Sequence, residues 1–442
     1  MTKILVTAEV IDEVLRSHFG LDPKEMVINF ELIERHTDPD RFEAARKEYE
    51  ANLADHPNRA AISQRLYVGK DFIIYLQSYY LRSEVRGISQ ESHFYYPICT
   101  IKEIKRIEQP RSCADLLLKL RADAIADEPR MVRIFLSRRM KNPQMWSLSS
   151  YFDDSAFEKY LGHVPLQQRA LCKEAVAGFA FLREPNGLCM RSRYGNIIVL
   201  SEALKYFLYY MNLFVLGEQF GIDINDRFAA LLIGLRTMLL TESLDFDLDG
   251  RGELPPDVHQ TIREMVDHQV QFAVGHEYAH VLLGHLNKVI IKRITSERVA
   301  RGVQMHYYSP SQLQEFAADV GAIAQANFSL VESAEILNGA FLLFTHLYLF
   351  RTVTEYVSPS VVRGLQTHPD PLDRLWNLHN KFSSVKALIS EEALRQHVEV
   401  TEKWRQHLIK KVLPFHVEDL ERYGSLYLPS FRTQTLSDRF DF

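Results

Sequence analysis

The sequence predicts a mainly α protein of α+β type, and three observations carry that reading. From about residue 188 almost to the end, apolar residues recur at helical spacing. Inside that stretch one short β-branched run, "RYGNIIVLS" (193–201), follows the pattern of a strand and implies a small sheet. The part before about residue 185 mixes an exposed helical pattern with runs rich in aromatic and β-branched residues. The expected organisation is therefore an N-terminal α+β region over 1–185, recognition or regulatory in character. A domain with a long helix and a small edge-strand sheet follows over 186–390, then a C-terminal helix and tail over 391–442.

Composition narrows the partners. The chain has 442 residues, 46% hydrophobic and 25% charged, which places it among ordinary globular proteins of about two or three domains. A net charge of −5 supplies no basic footprint, so nucleic acid is not an expected partner. The cysteines (Cys99, Cys113, Cys172, Cys189) are scattered without a CxxC pair. That argues against a zinc ribbon or a disulfide framework and suits a reducing compartment. Asp12 and Glu13 interrupt the N-terminal stretch before any signal-peptide core can form. The longest uncharged apolar runs, 206–217 and 336–350, fall short of the ~18–20 residues that span a bilayer. Each is expected to be a buried helix, with no transmembrane segment, and the protein to be cytoplasmic.

The elements follow in chain order. "DRFEAARKEYEANLAD" (40–55) reads as an exposed helix. "RLYVGKDFIIYLQSYYL" (65–81) and "MVRIFLSRR" (131–139) read as strands. The basic cluster Arg130, Arg133, Arg138, Arg139 and Lys141 reads as a solvated face. "DFDLDGRGEL" (245–254) imitates the start of a calcium loop, but Pro256 stands where the twelfth position needs a bidentate carboxylate. A polar turn is the expectation there. Pro255, Pro256 and Asp257 then suit a first helical turn, and Met265, Val266, Gln269, Val270, Ala273 and Val274 share one buried face. The stretch "HEYAHVLLGHL" (276–286) thus falls in the second half of a long, mostly buried helix.

That placement gives its histidines a chemistry. Residues four apart on a helix differ by about 40° in direction, so His276 and His280 can point at one ion while Glu277 lies on their flank. His285 is about 140° away from His280, which makes it a supporting residue rather than a ligand. Two neutral imidazoles suit zinc, and a catalytic zinc takes a third protein ligand and leaves one position for water. The ion lowers the pKa of that water towards ~7, and Glu277 is placed to take its proton. By itself the motif is only suggestive. "QEFAADVGAIA" (314–324) supplies Glu315 as third ligand and, one turn on, Asp319 to orient a liganding imidazole. Ala317 and Ala318 between them let this helix approach another closely. Leu283 and Leu286 stand where the pattern H-E-x-x-H-x-x-G-x-x-H needs glycine and histidine, which excludes that class.

With these residues assembled, roughly 188–378 resembles the gluzincin metallopeptidases of the HtpX heat-shock protease and CAAX prenyl endopeptidase type. Three further features join the resemblance: His285 five after the second ligand, "GNIIVLSEAL" as an edge strand followed by a helix, and "THPDPLDRL" with His368, Pro369 and Arg374 as H-P-x-x-x-x-R. Departures are the roughly seventy residues between strand and zinc helix, the lack of that family's membrane helices, and an unmatched N-terminal region. The resemblance implies a zincin-like fold over 186–390 and a zinc-dependent endopeptidase acting on a protein or peptide substrate; a narrow-specificity, regulated protease of stress or phage-defence type is a variant of that reading. It implies that His368 approaches the zinc, either stabilising an oxyanion or capping the metal. Arg374 is expected to pair with a carboxylate and fix that loop, and the strand at 197–200 to hold the substrate extended. The alternative is a zinc-containing sensor or binding protein with a silent or autoinhibited site.

Overall fold

The computed structural model describes residues 7–37, 39, 42–43, 45–47, 65–68, 71–182, 187–287, 291–293, 306–308, 311–357, 369–385 and 388–432. The described residues are mainly helical with two small sheets, and the chain divides into two compact units. The first comprises Met1–Pro110, Ile125–Tyr151 and Leu436–Phe442, the second Arg111–Ala124 and Phe152–Thr435.

The first unit contains α1 (Ala8–Ser17), β1 (Met26–Glu34), β2 (Arg65–Val68), β3 (Phe72–Leu81) and α2 (Ile101–Glu108). Its antiparallel sheet has the order β1-β3-β2, with Ile73 and Ile74 of the central strand fully buried. The run 65–81 thus forms β2 and β3. α3 (Cys113–Ala126) belongs almost wholly to the second unit; α4 (Pro129–Lys141) returns to the first.

Residues 131–139 form α4 and not a strand. Pro129 suits the first helical turn, and Met131, Val132, Phe135 and Leu136 repeat at helical spacing and are buried. The basic cluster is not a solvated face either. Arg133 and Arg138 are buried, Arg138 lies over the rings of Phe135 and Tyr151, and Arg139 donates to the carbonyl of Tyr96 and to the Tyr80 hydroxyl. Sequence alone cannot see that aromatic rings and carbonyls await these guanidiniums.

In the second unit, α5 (Ser155–His163) and α6 (Leu166–Lys173) precede β4 (Ala175–Ala180), β5 (Leu188–Ser192) and β6 (Gly195–Ser201). Then come α7 (Glu202–Leu216), α8 (Ile224–Leu239) and α9 (Pro256–Leu282). The strands β7 (Ile291–Arg293) and β8 (His306–Tyr308) are followed by α10 (Gln312–Ala324), α11 (Leu330–Val357), α12 (Pro371–Phe382), α13 (Glu391–His407) and α14 (Leu413–Glu421). The second sheet runs β4-β6-β5-β8-β7. β6 pairs in parallel with β4 and antiparallel with β5, so it is an interior strand and not an edge. Its continuous run Ile197–Leu200 is buried, as expected of a strand covered on both faces. Backbone pairing of a substrate to 197–200 is therefore ruled out: both sides of the strand are taken.

The apolar runs 206–217 and 336–350 fall in α7 and α11, both largely buried. α11 is long and apolar enough to cross a membrane by length and composition, yet 72% of its most apolar window is buried within the protein, as in a core helix. α9 packs against α10, α11 and α7, which places the histidine stretch at the centre of the unit. The turn 245–254 is built on Arg251, which is buried and binds Glu242 (2.9 Å) and Asp245 (2.5 Å), with Asp249 at 3.7 Å. Asp245 and Asp249 of the turn are thus taken up by an arginine.

Candidate metal centre

The ligands are brought together by an unusually close helix crossing. Gly275 and Ala279 on α9 face Gly321 and Ala322 on α10. A Cβ added at Gly321 would lie 2.8 Å from that of Ala279, and one at Gly275 would lie 2.9 Å from the Ala322 carbonyl. Only small residues fit this seam. The N-terminus of α10 is fixed by a capping box between Ser311 and Gln314, and Glu315 follows in its first turn.

His276, His280 and Glu315 form a buried group able to hold a metal ion. The two Nε2 atoms are 3.2 Å apart. Glu315 places Oε2 at 3.5 Å from Nε2 of His276 and Oε1 at 3.4 Å from that of His280. Donors bound tetrahedrally at 2.0–2.1 Å would stand roughly 3.3–3.4 Å apart. The Nε2–Nε2 separation is close to such an edge, and the Glu315 carboxylate straddles the two imidazoles with one oxygen facing each.

The supporting residues orient each ligand. His276 donates from Nδ1 to Asp319 Oδ1 at 2.9 Å, which leaves its Nε2 lone pair for the metal. Asp319 in turn accepts a forked pair from Arg374, Nε to Oδ2 at 2.9 Å and Nη2 to Oδ1 at 2.6 Å. Burial works to raise the Asp319 pKa, but the charge and hydrogen bonds of Arg374 outweigh it and hold the carboxyl below its ordinary range. Arg374 stands in the first turns of α12, so its carboxylate partner ties α12 to α10.

His285 backs the second ligand. α9 ends at Leu282, and Gly284 adopts a left-handed φ of 67° that folds the chain back. The Nδ1 atoms of His285 and His280 then meet at 2.9 Å. Burial favours neutral His280 and pushes its pKa down to about 4, as a ligand requires. Burial also acts to lower His276, but Asp319 and Glu315 raise it further than burial lowers it.

Glu277 is buried beside the ligands, and with His276, Arg374 and Gly187 it forms the polar end of a small pocket. Gly187 sits hard against it: a Cβ there would lie 2.2 Å from Glu277 Oε1. The chain matches no protein-family model, and no curated protein or solved structure matches it. Geometry alone therefore carries the functional reading.

The structure thus gathers His276, Glu277, His280, Glu315, Asp319, His285 and Arg374 at one place. His368 lies outside the described residues. Sequence reasoning missed Gly187, Gly275 and Gly321. Glycines inside predicted helices are a usable signal of close approach, because they cost about 1 kcal/mol against alanine unless packing needs them. Gly187 offered no such clue.

Proposed function

We propose that this chain is a zinc-dependent endopeptidase of gluzincin type, with a zincin-like domain in its second unit. The observation that supports this best is the buried convergence of the His276 and His280 Nε2 atoms on the Glu315 carboxylate, at 3.5 and 3.4 Å, with Glu277 lining the adjoining pocket. His276, His280 and Glu315 would hold the zinc, which when bound supplies a Lewis acid for the scissile carbonyl and for water.

The protein's own groups do the rest. With zinc bound in place of the His276 proton, both imidazoles would be neutral and Glu315 would contribute the single negative charge of the ligand set. The charge of Asp319 is offset by Arg374 rather than by the ion. Glu277 accepts a proton from the attacking water at its carboxylate and delivers it to the departing amide nitrogen. Its burial and its seat against Gly187 hold that carboxylate towards the pocket.

A zinc-containing sensor with a shut site is the second reading. It is favoured by one observation: the ligands are buried and the pocket beside them is small, about 40 Å³, room for a few waters. A purely structural metal has no use for Glu277, which favours the peptidase. The decisive comparison is a denatured-proteome peptide library digested by the zinc-loaded protein and by Glu277→Gln. New cleavages should appear with the first and fall by several orders of magnitude with the second, while elemental analysis finds equal zinc. Equal cleavage by both would remove the mechanism.

A further inference from the structure

The sheet of the first unit ends on β1, and among the described residues no strand pairs with the outer side of β1. Arg35 donates its backbone N–H to the Asp71 carbonyl, and Arg82 donates to that of Glu25, so residues 35 and 25 both bond inward. Inward-bonding residues alternate along an antiparallel ladder. The register pairs Ile33 with Ile73 and Glu31 with Tyr75, then Asn29 with Ser78 and Val27 with Tyr80. The odd-numbered residues thus bond to β3 along the whole strand. The backbone groups of Met26, Ile28, Phe30, Leu32 and Glu34 point to the outer edge.

Edge strands are usually blunted by lysine, by proline or by a bulge of their own. β1 (MVINFELIE) contains neither residue. The extra residue where the register shifts is Gln77 of β3, because Asn29 opposes Ser78 while Phe30 opposes Leu76. The edge is therefore regular. It is also apolar on one face: Leu32 is exposed, as are Tyr79 and Leu81, which lie opposite Ile28 and Met26.

We infer that this edge pairs with the same edge of a second copy, joining two three-stranded sheets into one of six strands across a two-fold axis at Phe30. Turned antiparallel about Phe30, the strand sets Phe30 against Phe30, Ile28 against Leu32 and Met26 against Glu34. Every outward-bonding residue then meets another. On the apolar face Leu32 of one copy comes to lie beside Ile28 of the other, in line with Tyr79. The same register sets Glu25 against Arg35, twice by symmetry, in pairs whose side chains stand closest. Arg35 is 3.7 Å from Glu43 in an exposed contact, and a guanidinium has more donors than one carboxylate can use. One register thus satisfies the backbone, the apolar row and both charge pairs.

The test is sedimentation equilibrium of the full chain, which should be a dimer at micromolar concentration. Glu25→Arg opposes like charges at both ends of the interface, and so does Arg35→Glu. Each should raise the dimer Kd about tenfold or more. An equimolar mixture of the two variants should recover the original Kd, because each end then joins opposite charges. Cysteine scanning reads the register directly. Phe30→Cys should form an intermolecular disulfide on mild oxidation, since opposed residues stand about 5.5 Å apart between Cα atoms. Ile28→Cys should not cross-link to itself, and the native cysteines are buried and do not compete. A chain that stays monomeric at its solubility limit overturns the assignment, whether or not it captures a strand of another protein. So does a dimer indifferent to either charge reversal, a mixture that recovers nothing, or a disulfide at Ile28→Cys as ready as that at Phe30→Cys.

Discussion

At the scale of single residues, the groups that carry charge or a lone pair are the ones the sequence discloses. His276, His280, Glu277, Glu315 and Asp319 were legible because their spacing has a chemical meaning that holds before any tertiary contact is known. Gly187 was not, because its role is to be absent: the strand entry closes over Glu277 only where no Cβ intervenes. Gly187→Ala should therefore push the carboxylate aside without touching a ligand. Turnover should drop by about 10²-fold, the order expected of a misplacement near 1 Å, with zinc stoichiometry and thermal midpoint kept. Unchanged turnover in that variant would show that the close contact does not position Glu277. His285 sits between these cases. Its distance along the helix excluded it as a ligand, but only the left-handed turn at Gly284 explains how it reaches back to His280.

At the scale of elements, periodicity located the long helices and failed where pairing is non-local. Nothing in 193–201 tells which strands flank it, and its partners β4 and β5 arrive from segments of their own. The uninterrupted Ile197–Leu200 run was the available warning, since an edge strand open to solvent would alternate. α4 was misread because its arginines hide a helical repeat. The α9–α10 crossing was legible in part: small residues at Ala317 and Ala318 suggested close approach, and the contact falls one turn later, at Gly321 and Ala322. Gly321→Ala should force the helices apart by a few tenths of an ångström and loosen Glu315 from the two imidazoles. Zinc affinity, read by chelator competition, should fall at least tenfold, within the range seen when support for a ligand is lost. Adding Ala279→Gly should restore most of it. Full affinity in the single variant would mean that the seam does not set the ligand geometry.

At the scale of the whole molecule, stability depends on buried polar groups as well as on the apolar core. Arg251 and Arg236 hold Glu242, and the segment that includes Tyr427 and Leu428 hydrogen-bonds onto the same turn. Arg251→Ala leaves buried carboxylates without their counter-charge and should cost about 3–5 kcal/mol in urea unfolding. A second network makes the fold sensitive to acid. His346 on α11 donates from Nε2 to Asn212 Oδ1 on α7 (2.9 Å), and Asn212 donates to Gln269 on α9 (2.8 Å). Burial, and then the charge of His397, pushes the His346 pKa down to about 3, against about 6.5 when the chain is unfolded. The sign follows directly: between those values the unfolded chain takes up a proton that the folded chain refuses. Stability attributable to this residue is complete above about pH 6.5 and declines by about 1.4 kcal/mol per pH unit as pH falls towards 3, then levels off. His346→Gln keeps a donor for Asn212 and cannot titrate. Unfolding free energies measured from pH 7 to 3.5 should therefore fall less steeply in the variant, by the equivalent of one proton. Parallel curves would show that His346 is not the group that refuses the proton.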